Sequence, residues 1–192
     1  MKKYEFTGEV KRIKLIGTEV VLRRIRAVTA FGVVKAGDIG GWIEKEENLS
    51  HDGSAWVYGD ARVYGNARVY GNAKVYGDAW VYGNARVYGD ARVYGNAEVY
   101  GNAKVCGNAE VYSVNHIFSI GPIGSRNEYT TFYRNKNEKI EVRCGCFNGI
   151  IEEFLEKVAE THGENKHASV YRAAAEIAKL QIEPLSTDEE AE

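Results

Sequence analysis

From Trp56 to Tyr112 a six-residue unit recurs without insertion or deletion. Valine stands at 57, 63, 69, 75, 81, 87, 93, 99, 105 and 111, and alanine at every sixth position from 55 to 109. A helix with 3.6 residues per turn cannot keep a strict period of six on one face, so an amphipathic helix is excluded. Alternation within the unit points instead to extended chain. In Ala61-Arg62-Val63-Tyr64, alanine and valine face one way while arginine and tyrosine face the other. Gly65-Asn66 then makes a corner, because glycine takes positive φ at little cost and asparagine tolerates it. Each unit is thus a very short strand and a sharp turn. One valine and one alanine cannot bury a core alone, so the units must coil and stack into a mainly β, parallel β-solenoid.

The motif of an aliphatic residue with a small residue four places on, as in Val57 and Ala61, resembles the hexapeptide-repeat parallel β-helix proteins. That resemblance implies a left-handed, three-sided coil with three units per turn. The tyrosine after each valine departs from the family pattern, where glycine or an acidic residue is commoner.

Eighteen residues per turn sort the outward positions into columns. Trp56, Lys74, Arg92 and Glu110 form one; Arg62, Trp80 and Glu98 a second; Arg68, Arg86 and Lys104, all basic, a third. Tyrosines align likewise, with Tyr70 and Tyr88 in a column whose third place is Cys106. Aromatic ladders at strand spacing stabilise a sheet by stacking. The same flat aromatic and cationic surface can bind bases, sugars or a partner protein. Arg68, Arg86, Lys104, Trp56, Trp80, Tyr70 and Tyr88 are therefore candidate ligand residues.

A solenoid has two open ends that atypical segments normally cover. Residues 1–50 read as an N-terminal β cap, with a strand over Val20–Val28 pairing with Tyr4–Ile16. Ile43 and Leu49, six apart, suggest an imperfect opening coil. Gly37, Gly40 and Gly41 lack the Lys-Ser/Thr and helix of a phosphate loop and are read as turn residues. The solenoid itself is assigned to 51–123, since Ile117 and Ile123 still fall at valine positions. Residues 124–185 read as a ββαα module: strands at Tyr129–Arg134 and Lys139–Cys144, then amphipathic helices at Ile150–Thr161 and His167–Ile182. An acidic tail, 186–192, completes the chain.

The whole layout resembles hexad-repeat proteins encoded by phages and prophages. The resemblance rests on Val34-Lys35-Ala36-Gly37-Asp38-Ile39-Gly40-Gly41-Trp42-Ile43, on the Val-Tyr-Gly-Asn/Asp-Ala repeat, and on Gly121-Pro122-Ile123-Gly124-Ser125-Arg126 with Cys144-Gly145-Cys146-Phe147. Such proteins are often described as transferase-like, and the group implies a mobile-element origin without a settled activity. Acyltransferases of this fold resemble trimers that hold acetyl-coenzyme A between subunits and use a histidine base. The repeats contain no histidine, which leaves His116, at the solenoid exit, as the candidate base. Gly124, Ser125, Arg126 and Asn127 combine backbone donors, a hydroxyl and a guanidinium, chemistry that suits a phosphate or carboxylate. Cys144 and Cys146 are weak metal candidates, because a zinc site needs about four converging ligands.

A formal charge of −2 argues against a generally basic, duplex-binding protein, and three cysteines build no disulfide framework. Residues 1–50 carry net +3 and 113–192 net −5, an asymmetry that favours end-to-end contact. The start shows no apolar signal region. The expectation is a non-enzymatic cytoplasmic binding or scaffold protein, without a cofactor or a membrane, that sequesters a host protein or an anionic, nucleotide-like ligand in counter-defence. A homotrimer or end-to-end dimer is its expected assembly. Acyl transfer with acetyl-coenzyme A, and a virion or carbohydrate-binding component, are the alternatives.

Overall fold

The computed structural model describes residues 2–15 and 17–182. It opens with a long antiparallel hairpin, β1 (Tyr4–Leu15) and β2 (Thr18–Ala27), followed by β3 (Ile39–Ile43). Ten two-residue strands, β4 to β13, come next: Trp56–Val57, Arg62–Val63, Arg68–Val69, Lys74–Val75, Trp80–Val81, Arg86–Val87, Arg92–Val93, Glu98–Val99, Lys104–Val105 and Glu110–Val111. They stack as three parallel sheets. Strands β4, β7, β10 and β13 form one face, β5, β8 and β11 a second, and β6, β9 and β12 a third. Every valine of the repeat pairs with the valine one coil, eighteen residues, away. The repeat valines and alanines fill the interior and are essentially inaccessible.

The three-sided solenoid is longer at its start than the strict repeat indicates. Trp42 and Ile43 pair in parallel with Arg62 and Val63, and Leu49 bridges to Val69. Ile43, Leu49 and Val57 thus head an opening coil, which brings the stack to four turns. Its register offset is twenty rather than eighteen, because Leu49 and Val57 are eight residues apart. Gly40 and Gly41 lie in β3 rather than in a turn. A Cβ on Gly41 would stand 2.6 Å from Val57 Cγ1 and 2.7 Å from the Ala61 carbonyl oxygen, so close strand approach is what requires glycine there. Within the repeat, Gly83 has φ +70°, and a Cβ on it would lie 3.0 Å from the Gly101 nitrogen below. Positive φ and tight stacking together select glycine at that corner.

Both ends are covered by hydrogen bonds as well as by bulk. The buried Lys3 ammonium donates to the Ala55 carbonyl at 2.8 Å, and Tyr4 Oη donates to the Leu49 carbonyl at 2.9 Å. Asn48 Nδ2 reaches the carbonyls of Gly65 and Ala67 at 3.1 and 2.9 Å. At the other end, the Lys104 N–H donates to Thr131 Oγ1 at 3.1 Å, and Lys136 N–H to the Asn108 carbonyl. Exposed strand edges are thereby satisfied inside the chain.

The second cover is larger than two strands and two helices. An antiparallel sheet runs β14 (Ile117–Ile123), β15 (Glu128–Arg134), β16 (Ile140–Cys144), β17 (Phe147–Ile150), in that spatial order. Helices α1 (Ile151–His162) and α2 (Lys166–Gln181) pack on it. Residues 117–123, whose register suggests a further solenoid coil, pair antiparallel with 128–134 instead. Ile120 and Ile123 pack on the core of Phe132 and the helices, while Ile117 stays against the solenoid interior. The tail at 186–192 lies outside the described residues.

Candidate functional site

Outward side chains behave differently on the three faces. On the second, Arg62 lies 4.7 Å over the Trp80 ring and Tyr82 Oη donates to Glu98 at 3.0 Å. On the first, Lys74 registers against Arg92, whose charge is met by Glu110 at 3.5 Å. On the third, Arg68 registers against Arg86, and Arg86 against Lys104. Like charges directly opposite on adjacent strands, about 4.8 Å apart, repel. None of these three cations has an ion-pair partner among the described residues.

The backbone holds this column rigidly. Arg68 and Arg86 N–H groups each donate at 2.9 Å to the alanine carbonyl of the next coil. Beside it, Tyr70 and Tyr88 stack with centroids 4.9 Å apart and planes within 3°. Two amide ladders frame the face: Asn66 donates to Asn84 at 3.3 Å and Asn84 to Asn102 at 3.1 Å, while Asn72 donates to Asp90 on the other corner. The cations open into two hollows joined at Arg86. One, of 670 Å³, includes Ser50, His51, Arg68 and Tyr70; the other, of 370 Å³, includes Lys104, Asn127 and Tyr129. Glu46, Glu47 and Asp52 line the upper hollow, and Glu128 the lower. Glu46 is occupied by the Lys2 ammonium at 2.7 Å, which holds its carboxyl below the ordinary range.

The tyrosine ladder ends where the module closes over it. Cys106, in the third place, is buried, with its thiol 3.3 Å from both Tyr133 Oη and Asn148 Oδ1. Burial, and secondarily its hydrogen bond to Cys106, push the Tyr88 hydroxyl up to about 12. A further cation, Arg143 of β16, acts electrostatically on both Tyr70 and Tyr88 and donates to the Phe147 carbonyl at 3.3 Å. No periodicity marks Arg143, so sequence reasoning missed it. Its only signal was a basic residue on a strand bordering the solenoid exit.

Residues 55–69, 67–83, 79–95 and 85–101 each match the YdcK beta solenoid repeat family. A curated protein of Escherichia coli (strain K12), "Uncharacterized acetyltransferase YdcK", is 39% identical to this chain over 62 residues. That stretch is 30% of this chain and only 19% of the relative. The middle of the chain is a hexapeptide-repeat β-solenoid.

Around this solenoid the structure divides the residues that the sequence grouped together. Trp56 occupies an outward repeat position but is fully buried, because Phe31 and Tyr4 of the cap close over it with centroids at 5.3 and 6.1 Å. It cannot meet a ligand. Trp80 lies on the second face, half-buried against the cluster of Leu22, Trp42 and Tyr64 and away from the cation column. The Gly124–Asn127 loop splits: Asn127 borders the lower hollow, whereas Ser125 and Arg126 line a different cavity with Cys144 and Cys146. His116 is only 2% exposed, and its Nδ1 accepts the Tyr112 N–H at 3.2 Å. Desolvation, aided by Arg134, lowers its pKa to about 4, so it is neutral but inaccessible as a base for a surface substrate. Cys144 hydrogen-bonds to Thr130, Cys146 is exposed, and no cluster of three metal-ligating side chains occurs among the described residues. No helix among them is long and apolar enough to cross a membrane.

Proposed function

We propose that the protein is a non-enzymatic binding scaffold whose third solenoid face captures a small anionic, nucleotide-like ligand. One observation carries this reading. Arg68, Arg86 and Lys104 are stacked in register and none of them makes an ion pair among the described residues, while Arg92 and Arg62 on the other two faces have an ion-pair and an aromatic partner. A column of like charges without ion pairs costs stability and is relieved by a multivalent anion. The Tyr70–Tyr88 ladder beside it offers planar surface to a base, and Arg143 adds charge at the lower end. In the phage and prophage setting that the sequence resembles, such capture would serve counter-defence by depleting a host signalling nucleotide.

Acyl transfer is the competing reading, drawn from the name of the E. coli relative. It needs a base at a substrate groove, and His116 is enclosed. Titration of the full chain with a nucleoside triphosphate, a cyclic dinucleotide and inorganic triphosphate tests the proposal. Replacing Arg68, Arg86 and Lys104 together with glutamine should leave the fold intact. It should weaken nucleotide binding by about a hundredfold or more, from the loss of several charge-assisted contacts. Wild-type binding should also fall as salt rises. Salt-insensitive binding, or binding unchanged in the triple variant, would remove this face from the function. Turnover of acetyl-coenzyme A would establish the competing reading.

A further inference from the structure

A second concavity lies wholly within the C-terminal module. Its 450 Å³ falls in the range of small-molecule sites, which are mainly apolar with a few placed polar groups. Phe147 and Phe154, with ring centroids 5.5 Å apart, and Val158 form the apolar wall. At its polar side stand Ser125, Arg126 and the Cys144 thiol. We infer that this hollow is a ligand site for a small organic anion, a carboxylate or phosphoester bearing an aromatic or alkyl group. The inference is independent of the solenoid face.

Charge decides the class of ligand. No carboxylate is among the side chains lining the cavity, which disfavours a cation; a nearby acid, Glu128, lies beside Arg126 at the Gly145 turn and forms no ion pair with it. Arg126 has neither an ion pair nor a hydrogen bond to protein among the described residues. Lys157, which also lines the cavity, is already paired with Glu160 at 2.8 Å. A free guanidinium fork beside two phenyl rings matches an anion at one end of a ligand and a ring or chain at the other.

The loop carrying Arg126 is fitted to its support. Gly124 has φ +72°, and a Cβ there would collide with the Tyr171 hydroxyl. Tyr171 is itself buried against Phe154, at 5.6 Å between centroids, and flanked by His162 at 5.7 Å. Gly145, at φ +57°, makes the two-residue turn between β16 and β17, which leaves Arg126 Nη1 only 3.3 Å from the place a Cβ would occupy. The three segments are thus held together around the cavity before any ligand arrives, which lowers the ordering cost of binding.

The test is NMR titration of the full chain with phenylacetate and phenyl phosphate. Benzyl alcohol serves as the neutral control, and acetate with inorganic phosphate as the ring-free controls. Saturable shifts are expected at the amides of Gly124, Ser125 and Gly145, with slower alkylation of the exposed Cys146 thiol in the presence of ligand. Both classes of control should bind at least tenfold more weakly. Arg126→Gln, a surface change that should keep the fold, should weaken the aryl anions by about tenfold or more. The triple variant of the third solenoid face should bind them as the wild type does. Absence of saturable shifts at millimolar ligand, equal binding of benzyl alcohol, or an Arg126→Gln protein with undiminished affinity would each overturn the inference. Loss in the solenoid variant alone would assign the binding to the other face.

Discussion

The solenoid and the C-terminal module build surface chemistry in opposite ways. In the solenoid each residue has a counterpart directly below it, so whatever an outward position carries becomes a straight column, as Arg68, Arg86 and Lys104 show. The module repeats nothing. Its cavity draws Ser125, Cys144, Phe154 and Tyr171 from four separate segments. Repetition yields flat, linear arrays suited to multivalent ligands, whereas aperiodic packing yields a concave site with a single unpaired cation, Arg126. The interiors differ to match: valine and alanine fill the first, while Phe132, Phe154 and Tyr171 dominate the second.

The largest test of that contrast is Val87→Asp. A carboxylate would enter an interior that offers no polar partner, and the expected cost exceeds about 4 kcal/mol. Coils on both sides should lose amide protection, because each one is stabilised by its neighbours. A stable, fully protected variant would show that valine is not the packing unit. Phe154→Ala comes next, with an expected loss of about 3–5 kcal/mol. Hydrogen exchange should rise in β14–β17 and both helices while residues 57–105 stay protected. An equal loss of protection in the solenoid would merge the two regions into one cooperative unit and end the comparison.

The smallest expected effect concerns the junction, where His116 is buried. Its folded pKa, lowered to about 4, lies below the ordinary value near 6.5, so between these limits the unfolded chain binds the extra proton. Stability from this group is complete above pH 6.5 and declines as the pH falls toward 4, by roughly 3 kcal/mol at most. Denaturation midpoints measured across that window should flatten in His116→Gln. An unchanged slope would place the titrating group elsewhere.

The strict hexads made the parallel stack and the inward and outward sides legible, because a period of six with internal alternation admits few other solutions. The opening coil was only half legible. Ile43 and Leu49 keep the spacing, but the eight-residue step to Val57 hides it from a search for sixes. Trp56 was misread for a different reason. It is equivalent in sequence to Lys74 and Arg92, and only the docking of Phe31 and Tyr4 distinguishes it. Likewise, the basic column could be tabulated from the chain, but Arg143 and the closure over Cys106 could not.

By itself, then, the sequence determined the local rule and everything that rule generates: strand, corner, interior valines, and columns of like residues. That follows because a repeat places each residue against its own copy, so contact partners are known from spacing alone. The tertiary structure decided which columns stay open, which fall under a cap, and how loop, hairpin and helix meet around the module's cavity. Those contacts join segments with no common period, and their packing depends on shapes and volumes that no single stretch of chain encodes.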